Sequence, residues 1–184
     1  MLNAVNPLRE NHVELKKAKT IAEELLETLK PACERIVVAG SIRRRRLDCG
    51  DIELLVIPKF DETIDLLDRE LGSLMLKQVF DHRRDKLGRI IYGPKNKLLL
   101  HKPSGIGVDI FSTTEECWPV AVVVRTGGKH TNIEISRRAM ERGLRFHAYG
   151  RGFTRADGSE LVCCSEEDVF KAVGMRYLAP EERR

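Results

Sequence analysis

The chain has 184 residues, of which 42% are hydrophobic and 33% are charged. This balance excludes an intrinsically disordered protein and suits one compact domain or two small ones that share a core. The net charge of +4 is a mild basic bias, too small for a histone-like protein. No stretch approaches the roughly 20 apolar residues that a membrane helix needs.

Residues 1–14 are polar and contain no apolar core of the kind that a secretory signal peptide has, so we expect no such peptide. The five cysteines are odd in number and irregularly spaced, which indicates free thiols in a reducing compartment. We therefore expect a cytoplasmic or nucleoid-associated protein, and a viral or phage origin stays open.

The first half alternates between helical and strand-like patterns. Apolar residues at helical spacing predict a helix over 14–30, which Pro31 ends. Short apolar and β-branched runs predict the strands that follow. The remaining predicted elements are, in chain order, strands at 35–39 and 51–58, a helix at 61–74, and strands at 79–80, 89–92, 97–100 and 108–111.

The second half has more helical patterning. Helices are predicted at 118–124, 132–142 and 166–173. Gly143 follows the second helix as a typical C-terminal residue, and Ser165 precedes the third as its N-cap. Segments 145–149 and 161–164 are predicted to pair as strands around a turn at 156–159.

Together these elements predict an α+β fold in two parts. Residues 1–112 would form a mixed β-sheet with helices on one side. Residues 113–184 would form a smaller subdomain of helices and a β-hairpin.

Three carboxylates stand on the predicted strands. Asp51 and Glu53 are two residues apart, so they point to the same face, while Ile52 points into the core. Asp109 lies in the middle of another apolar strand. If the two strands are neighbours, the three acids converge, and three carboxylates can hold two Mg²⁺ ions, with Mn²⁺ as a substitute.

Gly40 and Ser41 lie between the first strand and a helical turn. Glycine permits close backbone approach, and the exposed N–H groups and the serine hydroxyl can bind phosphate. Arg44 lies one turn later and can reach the same anion. The pattern predicts a phosphate site just ahead of the acids.

Each feature alone has a simpler explanation. A Gly-Ser pair is usually only a turn, and an Asp-x-Glu pair is usually a solvated strand face. The combination in this order, followed by Asp109 on a later apolar strand, is far more specific. It predicts nucleotide transfer from a nucleoside triphosphate to a hydroxyl by a two-metal mechanism.

Several segments resemble the nucleotidyltransferase superfamily that includes DNA polymerase beta, and the second half is similar to family X DNA polymerases. The resembling segments are 38–44, 50–56, 125–133, 137–144 and 165–180. The resemblance implies a nucleotidyltransferase palm over 1–112 and a nucleotide- and template-selecting subdomain over 113–184. We do not expect the lyase and helix–hairpin–helix regions of larger relatives.

The resemblance also implies a role for each site residue. Asp51 and Glu53 would bind both metal ions, and Asp109 would bind the catalytic ion beside the primer 3′-hydroxyl. The residues implied to bind the incoming deoxynucleoside triphosphate are Gly40, Ser41, Arg44, Gly50, Thr126, Gly127 and Asn132.

Five positions depart from the family's pattern. Glu53 stands where aspartate is usual, and Val124-Arg125 replaces an aromatic pair. Ser136 aligns with an arginine on the templating side, and Gly107 with a basic residue two before the third acid. These departures predict an altered metal position or rate, weak exclusion of ribonucleotides and low fidelity.

The function expected from this pattern is a monomeric, template-directed DNA polymerase that fills short gaps in repair, without a membrane partner. Candidate contacts to primer/template or gapped DNA are the basic residues Arg137, Arg138, Lys97 and Lys102, although such residues often form only a solvated face. Two alternatives stay open. One is nucleotide transfer to a small molecule, protein or RNA end, and the other is a non-catalytic DNA-binding relative.

Overall fold

The computed structural model describes residues 13–184. The prediction about a signal peptide therefore falls almost wholly outside the described residues. The fold is α+β, as predicted. The α-helices of the described part are α1 (Leu15–Leu29), α2 (Gly40–Arg43), α3 (Leu66–Leu76), α4 (Trp118–Thr126), α5 (Lys129–Glu141) and α6 (Glu166–Ala172).

The strands form one five-stranded sheet and three small sheets. In chain order they are β1 (Val13–Glu14), β2 (Cys33–Val38), β3 (Asp48–Cys49), β4 (Asp51–Pro58), β5 (Phe60–Asp61), β6 (Ile64–Asp65), β7 (Phe80–His82), β8 (Asn96–His101), β9 (Ile106–Ser112), β10 (Arg145–Phe146), β11 (Gly152–Thr154) and β12 (Glu160–Val162).

The large sheet has the strand order β2-β4-β9-β8-β7. Only β4 and β9 run parallel, and the other pairs are antiparallel. Alternate residues of β4, among them Ile52 and Leu54, are fully buried in a core that includes residues of α1 and α3. Because side chains alternate along a strand, Asp51 and Glu53 lie on the opposite face.

That opposite face is covered in part by α4. Leu55 of β4 packs with Trp118, Ala121 and Val122 of α4, and Phe111 of β9 lies against the same cluster. The acids therefore lie on the side of the sheet where the second half of the chain is attached.

The second half has its own core, formed by α4, α5, α6 and the small sheet of β10, β11 and β12. Ser165 caps α6 as predicted, because its hydroxyl accepts a hydrogen bond from the Asp168 N–H and the Asp168 carboxylate accepts one from Ser165 N. Gly143 follows α5 with φ +68°, the left-handed conformation expected after a helix.

Two predictions in the first half are wrong in detail. The helix predicted at 61–74 begins at Leu66, because the preceding residues pair as β5 and β6 and the Asp65 carboxylate caps the helix by accepting from Leu67 N and Asp68 N. The segment 89–92 forms no strand and makes only isolated bridges. Ile90 is half exposed and only Tyr92 packs against the core, so little of this apolar run is buried.

The predicted pairing of 145–149 with 161–164 is also wrong. β11 lies between β10 and β12, and the turn at 155–158 joins β11 to β12. Because β11 begins with Gly152, its sequence has only a weak strand pattern. The strand forms nevertheless, and its Phe153 is buried and pairs with Phe146 of β10. No helix within residues 13–184 is long and apolar enough to cross a membrane.

Candidate active site

The sheet brings the three carboxylates to one face of two adjacent strands. In the parallel ladder of β4 and β9, Glu53 is the direct partner of Asp109, and Asp51 is the partner of Gly107. Paired strands lie about 4.8 Å apart. The convergence that the spacing predicted depends on this parallel pairing, which the sequence left conditional.

Burial and mutual repulsion make these acids hard to ionise together. Burial, helped by the charges of Asp51 and Asp109, raises the pKa of Glu53 to about 7, although the charges of Arg44 and Arg125 oppose the shift. Burial also raises the pKa of Asp109 to about 6, although the charge of Arg83 opposes the shift. A bound cation would relieve the desolvated charges.

The positive charge nearest the cluster belongs to Arg83, which follows β7. Its Nη2 donates to Asp109 Oδ1, and its Nη1 lies 3.8 Å from Asp51 Oδ2. Within residues 13–184 no group of three His, Cys, Asp or Glu side chains could hold a metal ion as it stands. The donor chemistry of three carboxylates on one face fits Mg²⁺, but two of them, Asp51 and Asp109, contact a guanidinium instead.

The Gly40–Ser41 turn lies directly against the acids. Gly40 has φ +57°, and a Cβ there would be 2.7 Å from Glu53 Cδ. The Ala39 N–H donates to Glu53 O at 2.8 Å. Ser41, in the first turn of α2, and Gly50, just before β4, are both half-buried. Glycine at position 40 is therefore required by both conformation and space.

Two arginines of the turn reach the second half of the chain. Arg43 Nη1 donates to Thr126 Oγ1, and Arg44 Nη1 donates to Thr126 O. A Cβ on Gly127 would lie 2.9 Å from Arg44 Nη1. The structure thus brings the predicted phosphate residues and Thr126-Gly127 together at the junction between the two halves.

Asn132 lies in α5, close to this junction. Its Nδ2 donates to Val124 O at 2.9 Å, while its Oδ1 is buried without a hydrogen-bond partner. A buried unpaired carbonyl costs about 1–3 kcal/mol. The amide is thus only half-satisfied by the protein.

Sequence reasoning missed the contacts that three arginines of this region make, namely Arg43, Arg125 and Arg83. Arg43 contacts Glu166 of α6, which also contacts the fully buried side chain of Arg183. Arg125 lies 3.6 Å from the Phe111 ring centroid and 5.3 Å from that of Tyr149.

Little in the sequence could have revealed these contacts. Arg43 belongs to a visible run of arginines, and Arg125 stands where the family pattern has an aromatic residue. Neither sequence pattern indicates which residue the arginine contacts in the fold. The contact between Arg83 and Asp109 joins residues 26 positions apart and depends on the order of the strands.

The predicted DNA contacts divide into two groups. Arg137 and Arg138 lie on α5 and form ion pairs with Glu134, and Lys102 is exposed and donates to Gln78.

Lys97 is different, and the prediction that it contacts DNA is wrong. Its side chain is only 1% exposed, its ammonium lies 3.1 Å from Asp68, and it donates to Gly93 O. A buried lysine must be paired in this way, and the strand alternation of β8 turns it into the core.

Residues 121–184 match the family model of the DNA polymerase beta thumb. The match supports a relationship of this part of the chain to the family X DNA polymerases. The match confirms the resemblance found in the second half of the sequence, and it includes Thr126, Gly127 and Asn132. The polymerase beta thumb match begins inside α4, so the division at 112/113 and the palm over residues 1–112 stay predictions.

Proposed function

We propose that this family X relative is a template-directed DNA polymerase that adds deoxynucleoside monophosphates to a primer 3′-hydroxyl and fills short gaps in DNA repair. One observation carries the proposal. Glu53 and Asp109 face each other on adjacent parallel strands, next to a Gly40–Ser41 turn whose arginines contact Thr126 at the start of the thumb match.

Asp51, Glu53 and Asp109 are the residues that would hold two Mg²⁺ ions. When bound, such ions lower the pKa of the attacking hydroxyl and neutralise the charge of the leaving pyrophosphate. The clustering of the three carboxyls supports this assignment, because a bound divalent cation would offset the burial and repulsion that raise the pKa values of Glu53 and Asp109.

The Gly40–Ser41 turn would bind the triphosphate. Gly40 holds the backbone against Glu53, so a phosphate on the Ser41 hydroxyl and the neighbouring N–H groups would lie beside the carboxylates. Arg44 is half-buried, its Nε has no hydrogen-bond partner, and it lies close enough to Glu53 to affect its ionisation. It can therefore donate to a phosphate oxygen at the same place.

Thr126-Gly127 and Asn132 would contact the sugar and base of the incoming nucleotide. Both lie at the junction between the acids and α5, which is where a nucleotide bound by its phosphates would extend. The proposed contact of Asn132 with a base edge requires its Nδ2 to exchange Val124 O for the nucleotide. Primer/template DNA would lie against α5, which exposes Ile133, Arg137 and Met140.

Primer extension tests this function most simply. A labelled primer on gapped or recessed template is incubated with Mg²⁺ or Mn²⁺ and each deoxynucleotide alone, with Asp109→Asn as the inactive control and the exposed Asp61→Asn as the matched control. We expect extension only by the templated nucleotide in wild type and Asp61→Asn. Extension without regard to template would favour a different acceptor, and no extension with either metal would contradict the proposal.

A further inference from the structure

Arg83 reaches the carboxylate cluster from the far edge of the sheet. Its backbone N–H donates to Leu98 O at 3.0 Å, which fixes its main chain beside β8. Because β8 lies between β7 and β9, the side chain must cross β8 to meet Asp109. About 30% of the Arg83 side chain is exposed, so solvent reaches part of it.

One guanidinium bridges carboxylates of two different strands. It donates to Asp109 on β9 and lies 3.8 Å from Asp51 on β4. The Arg83 Nε is buried and has no hydrogen-bond partner, and an unmet buried donor costs about 1–3 kcal/mol. The guanidinium is therefore held by the two acids while its Nε stays unpaired.

Gly107 provides the space for this position. It is the ladder partner of Asp51 and lies two residues before Asp109. A Cβ on Gly107 would overlap Arg83 Nη1 and Cζ. The missing side chain therefore lets the guanidinium lie flat against β9 between the carboxylates.

We propose that Arg83 is an exchangeable counter-ion, which neutralises Asp51 and Asp109 in the metal-free protein and which a divalent cation must displace in order to bind them. The inference rests on the proposed metal-dependent function. It explains why three acids on one face form no ready-made metal centre while Arg83 is in place. Arg83 is then a positioning residue that acts through the carboxylates.

Two physical consequences follow from this role. The positive charge of Arg83 beside Asp51 and Asp109 repels a divalent cation that approaches the same two carboxylates. Removing Arg83 should therefore strengthen cation binding, and it should also weaken the metal-free fold, because the buried acids lose their compensating charge.

The test is a Mn²⁺ titration of the full chain without nucleotide or DNA, combined with thermal unfolding in EDTA. The variants are Arg83→Ala and Arg83→Gln, of which the second keeps most of the side-chain volume in case the first fails to fold. Arg84→Ala is the matched control, because Arg84 is exposed and donates to Gly88 O instead.

We expect both Arg83 variants to bind Mn²⁺ about tenfold more tightly and to melt at a lower temperature in EDTA, while Arg84→Ala behaves as wild type. Unchanged or weaker Mn²⁺ binding by a folded Arg83 variant would overturn the inference. Asp109→Asn separates the two proposals. If it abolishes Mn²⁺ binding while Arg83→Gln has no effect, only the role of Arg83 fails, and if wild type and every variant bind no Mn²⁺, the metal-dependent function fails as well.

Discussion

At the residue scale, the ionisation of Glu53 is affected by the charges of Asp51, Asp109, Arg44 and Arg125. Its carboxyl packs against Gly40, so closely that a Cβ there would be 2.7 Å from Glu53 Cδ. The glycine leaves room for the longer glutamate where the family usually has aspartate. The longer side chain therefore fits by using space that a glycine turn provides.

The raised pKa of Glu53 predicts a pH dependence of stability in the metal-free protein. Its folded-state pKa of about 7 lies above the ordinary 4.5, so the folded state favours the protonated form. That stabilisation is complete below about pH 4.5 and is lost as the pH rises through about 7.

Glu53→Gln removes this loss, because glutamine stays neutral. Relative to wild type, the variant should gain thermal stability on going from about pH 5 to about pH 8 in EDTA, by roughly 2–8 °C in Tm. Exposed Glu34→Gln is the control. An equal difference between Glu53→Gln and wild type at both pH values would show that Glu53 is not protonated in the fold.

Arg125 is the second residue with a specific consequence. Its guanidinium lies over Phe111 and beside Tyr149, and its Nη2 lies 3.2 Å from the Tyr149 hydroxyl. Because Arg125 lies over Phe111 and beside Tyr149, a charged side chain stands at the position where the family usually has an aromatic one. We therefore expect deoxy- over ribonucleotide preference to be weak, about 10–100-fold, in single-nucleotide insertion. A preference above about 10⁴-fold would contradict this assignment.

At the scale of elements, one ion network joins α2 to α6. Glu166 contacts both Arg43 and Arg183, and the Arg183 side chain is fully buried over the Phe170 and Tyr177 rings. Burial opposes ionisation of Glu166, but the hydrogen bonds and charges of the two arginines hold its pKa below the ordinary value.

Glu166→Gln should therefore leave Arg183 as an uncompensated buried charge. We expect a loss of about 3 kcal/mol in the free energy of unfolding by urea, since breaking one side of a buried pair costs about 3–5 kcal/mol. The neighbouring Glu167→Gln, at an exposed position, should change it by less than about 0.5 kcal/mol. Equal effects of the two substitutions would mean that the network does not hold the halves together.

The elements also show what the sequence can predict. Strand alternation and the Gly-Ser turn are local patterns, so β4, β9 and the shared face of Asp51 and Glu53 were predictable. The partner of each charge was not, because it depends on strand order. Lys97 looked like a surface cation but pairs with Asp68 in the core, and Arg83 meets Asp109 only because β7, β8 and β9 are adjacent.

At the scale of the whole molecule, the modest net charge of +4 makes the position of the basic residues decisive. Arg137 and Arg138 extend along one side of α5, where Ile133 and Met140 are exposed beside them. Arg137 is already paired with Glu134 and Glu141. A phosphate must compete with these carboxylates, so we expect weak DNA binding.

Binding to gapped DNA should nevertheless fall steeply as salt rises, with a log–log slope of about −0.9 for each phosphate contacted. Arg137→Ala should make that slope less steep by about one. Arg155→Ala, in the β11–β12 turn with its own partners Ser159 and Glu160, is the control. A flat salt response, or the same slope for wild type and Arg137→Ala, would count against α5 as the DNA face.

The central claim is that three carboxylates and a glycine turn hold a metal-bound triphosphate. Anomalous diffraction from crystals of the chain with Mn²⁺, gapped DNA and a non-hydrolysable deoxynucleoside triphosphate measures this directly. We predict two Mn²⁺ peaks about 3.5–4 Å apart, both within about 2.0–2.3 Å of Asp51 and Glu53 oxygens and one also bound by Asp109. A nucleotide bound elsewhere, with no Mn²⁺ at these three side chains, would contradict it.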